Sequence, residues 1–202
     1  MLPGNSQILT CPHCGTEKEV MSLISGNNFG AELWSDNKQI APMLPEISYI
    51  QQCPGCSKYY IMNKQQPRYS TDSSSSEQGL LTFPQMKEAF MQLSQEGLSP
   101  KEEAGVRFMM HHVFNDYYHR SGQDRPISEE DRLLFNDNGL WLIQHLITDD
   151  ILKAEFYRQI GELEQAAKII ETVHAENGFL VKIVRGIRKR LQKGDCKVFR
   201  IE

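Results

Sequence analysis

Cys11-Pro12-His13-Cys14-Gly15 and Cys53-Pro54-Gly55-Cys56 decide how the rest of the chain is read. Two Cys-x-x-Cys pairs supply four thiolates, the full tetrahedral set for Zn²⁺, an ion without d-electron preference that binds sulfur at about 2.3 Å. Pro follows the first cysteine of each pair, and Gly precedes or follows the second. That is the chemistry of a tight turn whose amides point at sulfur and in which one residue takes positive φ. A redox Cys-x-x-Cys more often opens a helix after a strand, whereas polar turns and short β-like runs flank both pairs here. The spacing predicts a structural Zn²⁺ held by Cys11, Cys14, Cys53 and Cys56. A catalytic zinc keeps an open position, and four cysteines leave none. The His13 side chain, inside its turn, is expected to point away from the ion.

Working outward, Gln7-Ile8-Leu9-Thr10 leads into the first pair and Glu19-Val20-Met21-Ser22-Leu23-Ile24 leads away. Ile47-Ser48-Tyr49-Ile50 enters the second pair, and Tyr59-Tyr60-Ile61-Met62 leaves it. Strand, turn, strand, occurring twice, predicts a zinc ribbon over residues 1–66. A unit of that size buries too little apolar surface to be stable alone, so the metal supplies much of its folding free energy. The 38 residues between Cys14 and Cys53 exceed what a hairpin needs. They hold Phe29, Leu33, Trp34, Met43 and Leu44, and read either as a packed apolar lid or as a partner-binding loop with Phe29, Trp34 and Met43 as contacts. The apolar content favours packing.

Residues 67–79 include Ser73-Ser74-Ser75-Ser76 and read as a linker. From residue 80 to 202 the period becomes helical. Thr82-Phe83-Pro84-Gln85 and Ser99-Pro100-Lys101-Glu102 are capping boxes with Pro in the first turn. Ser128 caps a third helix, in which Asn136-Asp137-Asn138-Gly139 is a candidate break or bend. Thr148 or Asp149 caps a fourth helix ending at Gly161, Glu162 to about Glu176 is a fifth, and Phe179 to about Gln192 a sixth. Ala154, Tyr157, Gly161, Leu163 and Ala166 match one tetratricopeptide (TPR) helix pair, in which small residues allow close approach of the helices. One copy is too few for a superhelix, so the expectation is α+β: a small β zinc ribbon followed by an all-α TPR-like helical bundle.

On the four cysteines together with Ala154, Tyr157, Arg158, Gly161 and Ala166, the chain resembles a bacterial domain-of-unknown-function family that joins a Cys-x-x-Cys zinc ribbon to a TPR-like helical region. The resemblance implies this architecture and this ligand set. It implies no activity.

Charge is uneven. Residues 178–202 carry eight Lys/Arg against Asp195 and Glu202, a net of +6, and the rest carries −10 within a total of −4. The sixth helix could therefore meet an acidic partner or nucleic acid through Arg185, Arg188 and Lys189, or present a solvated face. Up to Asn63 the basic residues are Lys18, Lys38 and Lys58 against five acids, which disfavours the ribbon as a nucleic-acid reader. No apolar run is long enough to span a membrane, no signal peptide is visible at Met1-Leu2-Pro3-Gly4-Asn5-Ser6, and cysteines in metal spacing suit a reducing compartment. Cytoplasmic location is the expectation, and nothing in the pattern sets an oligomeric state.

His111, His112 and His119 are the other candidate chemistry. On an α-helix His112, Asp116 and His119 share a face, but Phe108, Met109, Val113, Phe114, Tyr117 and Tyr118 surround them, so ordinary helix-surface or interface histidines are favoured over a second metal site or an acid/base group. No HExxH, GxSxG or phosphate loop is present. The expectation is a non-enzymatic zinc-binding adaptor for a protein partner, with nucleic-acid binding as the alternative.

Overall fold

A computed structural model describes residues 1–62, 68–70, 79–123 and 125–202. It is α+β, with short antiparallel strands in the N-terminal part and, among the described residues, six α-helices after them. The chain divides into two compact units, residues 1–31 with 40–106, and residues 32–39 with 107–202. These limits differ from the expected 1–66, 67–79 and 80–202. The first helix belongs with the strands, and an eight-residue piece of the inter-cysteine loop belongs with the later helices. Most of the expected linker lies outside the described residues, but Arg68–Tyr69 within it forms a strand.

In the first unit β1 (Leu2–Pro3) pairs with β4 (Leu23–Ser25). Antiparallel β2 (Gln7–Thr10) and β3 (Glu17–Val20) align Gln7 with Val20 and Thr10 with Glu17. The other edge of β2 takes β9 (Arg68–Tyr69). Also in this unit, β7 (Ile50–Gln52) pairs with β8 (Tyr59–Ile61), while β5 (Glu32–Leu33), in the segment that belongs to the second unit, pairs with β6 (Gln39–Ile40) at the unit boundary. Leu9, Val20 and Tyr60 bury together with Cys11 and Cys53.

Helix α1 (Phe83–Glu96) starts where the capping box requires, with the Thr82 amide donating to Gln85 Oε1 at 2.9 Å. It buries Phe83, Met86, Ala89 and Leu93, one face at helical spacing. It is fastened to β8 by its polar residues too. The Tyr59 amide donates to Gln92 Oε1 at 3.0 Å, and Gln92 Nε2 returns a bond to the Tyr59 carbonyl at 2.9 Å.

The unit boundary falls within α2 (Pro100–Asn115), which continues as a π-helical turn, Asp116–Arg120. Helix α3 (Glu129–His145) begins at Ser128, whose Oγ accepts the Asp131 amide at 3.1 Å. It runs unbroken through Asn136–Gly139, the candidate break or bend. Asn138 Nδ2 donates to the Arg107 carbonyl at 3.0 Å, and a Cβ on Gly139 would lie 2.5 Å from Ile160 Cγ2. The stretch that looked like a breaker is a close helix crossing, where a side chain would collide.

Helices α4 (Asp150–Gln159) and α5 (Leu163–Thr172) pack on each other across the Gly161 turn, and α6 (Gly178–Leu191) packs on both. Helix α5 is shorter than expected, leaving the helical region at Val173. Their shared core is Ala154, Ile170, Val184, Ile187 and Phe199.

Candidate functional site

Each cysteine pair sits in the turn of a hairpin, between β2 and β3 or between β7 and β8, and the two turns are built alike. The Cys11 amide donates to the Thr16 carbonyl at 2.9 Å, as the Cys53 amide does to Lys58 at 2.8 Å. The Gly15 amide donates back to the Cys11 carbonyl, and the Ser57 amide to Cys53, both at 3.0 Å. These equivalent residues both have positive φ, +76° at Gly15 and +60° at Ser57. In the second turn the left-handed residue is therefore Ser57, not the glycine of the motif. Cys53 Sγ accepts the amides of Gly55 and Cys56 at 3.3 and 3.5 Å, so the turn delivers N–H dipoles to sulfur.

The four Sγ atoms lie within 4.8 Å of one another. Cys11 and Cys56 are 3.7 Å apart, and Cys14 and Cys53 are 3.5 Å apart. Bonds of about 2.3 Å at tetrahedral angles give sulfur–sulfur edges of about 3.8 Å, so the cluster fits one ion. An all-sulfur tetrahedral set suits zinc or iron. His13 stands outside it, with Nε2 3.3 Å from the Tyr59 carbonyl oxygen.

The environment favours thiolate unequally. The Thr16 hydroxyl, 3.2 Å from Cys14 Sγ, and then the Thr16 amide hold Cys14 down at about 6. Burial opposes ionisation of Cys53, but the Cys56 and Gly55 amides lower it nonetheless. At Cys56 the Lys58 amide favours the thiolate, and burial with the neighbouring sulfurs overrides it, pushing the thiol up to about 12. Without an ion the quartet keeps some protons, which a divalent cation must displace. Lys18 stands nearby, its Nζ donating to the Gln52 carbonyl at 3.2 Å, a cation suited to the net negative charge of a four-thiolate zinc centre.

In the second unit the shared face of His112, Asp116 and His119, weighed above as a second site, does not form. The π-helical turn changes the rotation per residue after Asn115 and sends the three side chains to different neighbours. His111 is fully buried, stacked on Phe156 and Phe135 with ring centroids 4.1 and 4.6 Å away, and its Nε2 lies 3.0 Å from Gln159 Oε1. His112 Nε2 meets the Asp36 carbonyl at 3.0 Å, and His119 lies beside Asp195 to Lys197. Burial pushes all three imidazoles down, His111 to about 3. They are neutral packing groups.

What the helices do assemble is a buried polar chain. Arg120 NH1 donates to both Asp36 oxygens at 2.9 and 2.8 Å, and Arg120 Nε donates to Asp116 at 2.6 Å. Asp116 also receives Lys38 Nζ at 2.6 Å. Asn115 Nδ2 links Asp36 to Gln159, each at 2.9 Å. Gln159 Nε2 reaches Glu155 at 2.7 Å, and Glu155 accepts Arg158 Nε at 2.8 Å. Arg158 also donates to the carbonyls of Asp195 and Lys197. Three cations and three carboxylates thus balance, with Asp36, Glu155 and Arg158 fully buried. Of these residues only Arg158 was singled out by the motif. Asp36 and Lys38 gave no signal, because their partners lie far along the chain.

The proposed contact residues scatter. Trp34 is half-buried in the second unit under the Arg120 guanidinium, 5.2 Å from its ring centroid. Its strand partner is Arg200, and the Ser35 amide donates to the Phe199 carbonyl at 2.9 Å. This piece of the loop is packed structure. Phe29 and Met43, in the first unit, are exposed. Arg188 is committed to the α5–α6 contact, donating to the Ile170 carbonyl at 2.9 Å. Arg185 and Lys189 are exposed and, with Lys182, line a hollow of about 370 Å³. A concave surface of about 300 Å³, which the sequence did not reveal, is formed by Leu33, Trp34, Ile151, Leu152, Phe179 and Ile183. No described helix is long and apolar enough to cross a membrane. No protein-family model, curated protein or solved structure matches the chain.

Proposed function

We propose that the chain is a non-enzymatic adaptor in which Zn²⁺ at Cys11, Cys14, Cys53 and Cys56 holds an N-terminal zinc ribbon while a TPR-like helical region binds a protein partner. The concave apolar surface around Phe179 carries this reading: large apolar side chains line it, and Phe179 is 45% exposed. Such a surface, lined by residues from helix starts and a strand, suits an amphipathic segment that places two or three apolar anchors in it. The closed four-sulfur shell gives zinc a structural role. Fully buried Ala154 and Ala166 in the α4–α5 pair support the TPR-like assignment.

Selection from a displayed library of helical peptides tests the reading. Peptides sharing apolar anchors at i, i+3 or i+4 spacing are expected, and Phe179→Asp should weaken them by about tenfold, roughly 1.4 kcal/mol. A library that yields no converging sequence, or peptides indifferent to Phe179→Asp, defeats the adaptor role at this surface.

Nucleic-acid binding is a second reading, favoured by Lys182, Arg185 and Lys189, which carry no ion pair among the described residues. Arg188 is less available because of its bond to α5. Binding of this kind would fall steeply with salt, which separates it from peptide capture.

A further inference from the structure

A second hollow in the helical unit shares no residue with the apolar surface above. It has a volume of about 500 Å³ and lies against Phe114 and His119, the start of α3, the Gly161 turn and residues 194–197. We propose that it binds a small organic monoanion, a carboxylate or sulfonate on a flat apolar body, with Arg132 and Lys197 holding the charge.

The walls define the body of the ligand. Phe114 and Phe135 stack with centroids 3.9 Å apart and planes 19° from parallel, and Ile127 and Ile160 extend that apolar lining. A volume of this size with mostly apolar walls and a few converging polar groups is the usual character of a small-molecule site, which spans about 300–1,000 Å³.

The charges define its head. Arg132 and Lys197 line the hollow and carry no ion pair among the described residues. Asp195 is the one carboxylate in the lining, and it is engaged elsewhere. It accepts the Lys197 backbone amide at 2.9 Å, and its other oxygen lies 3.6 Å from Arg190 Nε. The Arg158 guanidinium nearby is already matched by Glu155. Two side-chain cations therefore face the hollow without a carboxylate of their own, and an anion with an apolar body satisfies both them and the walls.

The remaining lining groups do not oppose an anion. Burial lowers the His119 imidazole, so it is neutral, and burial raises the Cys196 thiol, so it carries no thiolate charge. The hollow thus offers two cations, neutral polar groups and aromatic surface.

The test uses the full zinc-loaded chain and 1-anilinonaphthalene-8-sulfonate, an aromatic monoanion whose fluorescence reports apolar contact. One saturable site is expected, with amide shifts at Gly161, Gly194 and Cys196 on titration. Arg132→Gln with Lys197→Gln, both exposed positions, should weaken binding by about tenfold. The neutral analogue N-phenyl-1-naphthylamine should bind more weakly by a similar factor. Phe179→Asp should leave the titration unchanged, so failure here is distinct from failure of the adaptor reading. The proposal is overturned by any of four results: no saturable binding, equal affinity in the double variant, equal affinity for the neutral analogue, or shifts that map to Trp34 and Phe179.

Discussion

Asp36 is a carboxylate taken wholly out of water. Burial alone would raise its pKa, but the Arg120 guanidinium reverses that and holds it below the usual carboxylate range. Its oxygens accept Arg120 and Asn115, and its carbonyl meets His112. Truncating one partner of a buried ion pair costs about 3–5 kcal/mol, because the other charge stays buried and unpaired. Asp36→Ala should destabilise the helical unit by that amount in urea unfolding, since Arg120 would keep only Asp116. Asp36→Ala with Arg120→Met removes both charges and should recover much of the loss. A cost below about 1 kcal/mol for the single variant would mean that water reaches the site and the pair does not define it. The residue also shows where reading the chain stops. A lone Asp after Trp34-Ser35 has no local pattern, and its meaning comes from side chains 79 and 84 positions away.

At the scale of elements, what was legible is what is local. Thr82 with Gln85, Ser99 with Glu102, Ser128 with Asp131 and Asp149 with Leu152 all make the cap contacts that their spacing implies. The two cysteine turns likewise follow from a few adjacent residues. The loop segment 32–39 was not legible, because the hydrogen bond from the Phe199 amide to Ser35 Oγ joins residues 164 apart in sequence. Asn136–Gly139 was open to two readings because a residue that permits close helix packing is the same residue that breaks a helix. The histidines of α2 and its π-helical turn pack among buried neighbours, and their shared face was lost to that turn. They make the element acid-sensitive. Their folded pKa values lie below the unfolded value of about 6.5, so the unfolded state binds more protons in acid. Stability is complete above that pH and is lost as pH falls. His111, depressed to about 3, contributes a slope approaching 1.4 kcal/mol per pH unit between about pH 6 and its folded value. His111→Phe should lower stability at neutral pH, through loss of the Gln159 bond, and flatten that slope by one proton. An unaltered slope, measured by urea unfolding from pH 7 to 4.5, would show that His111 is not the protonated group.

For the whole molecule, the two kinds of stabilisation fall in different units. The four sulfurs lie in the unit of residues 1–31 and 40–106, and the balanced ionic chain lies in the other. Strands of two to four residues with a small apolar cluster cannot supply much folding free energy alone, and a bound zinc can contribute about 10–16 kcal/mol at neutral pH. Helices α4 to α6 bury their own core around Ala154, Ile170 and Ile187, α3 buries Phe135, Leu142 and Ile143, and neither needs a metal for it. Chelation, or Cys11→Ser or Cys53→Ser, should therefore abolish amide-exchange protection in β2, β3, β7 and β8 while α3 to α6 keep theirs. The helix α1 is the informative intermediate. Its bonds to Tyr59 tie one end of its contact to β8, so Gln92 and its neighbours should lose protection with the strands, ahead of α4 and α5. Because protons compete for the thiolates, Zn²⁺ affinity should fall as pH is lowered, and fall more steeply below about 6, where Cys14 also protonates. Exchange protection that survives metal removal throughout β2 and β7 would mean that the strands fold on their own contacts, and that the cysteines serve something other than structure.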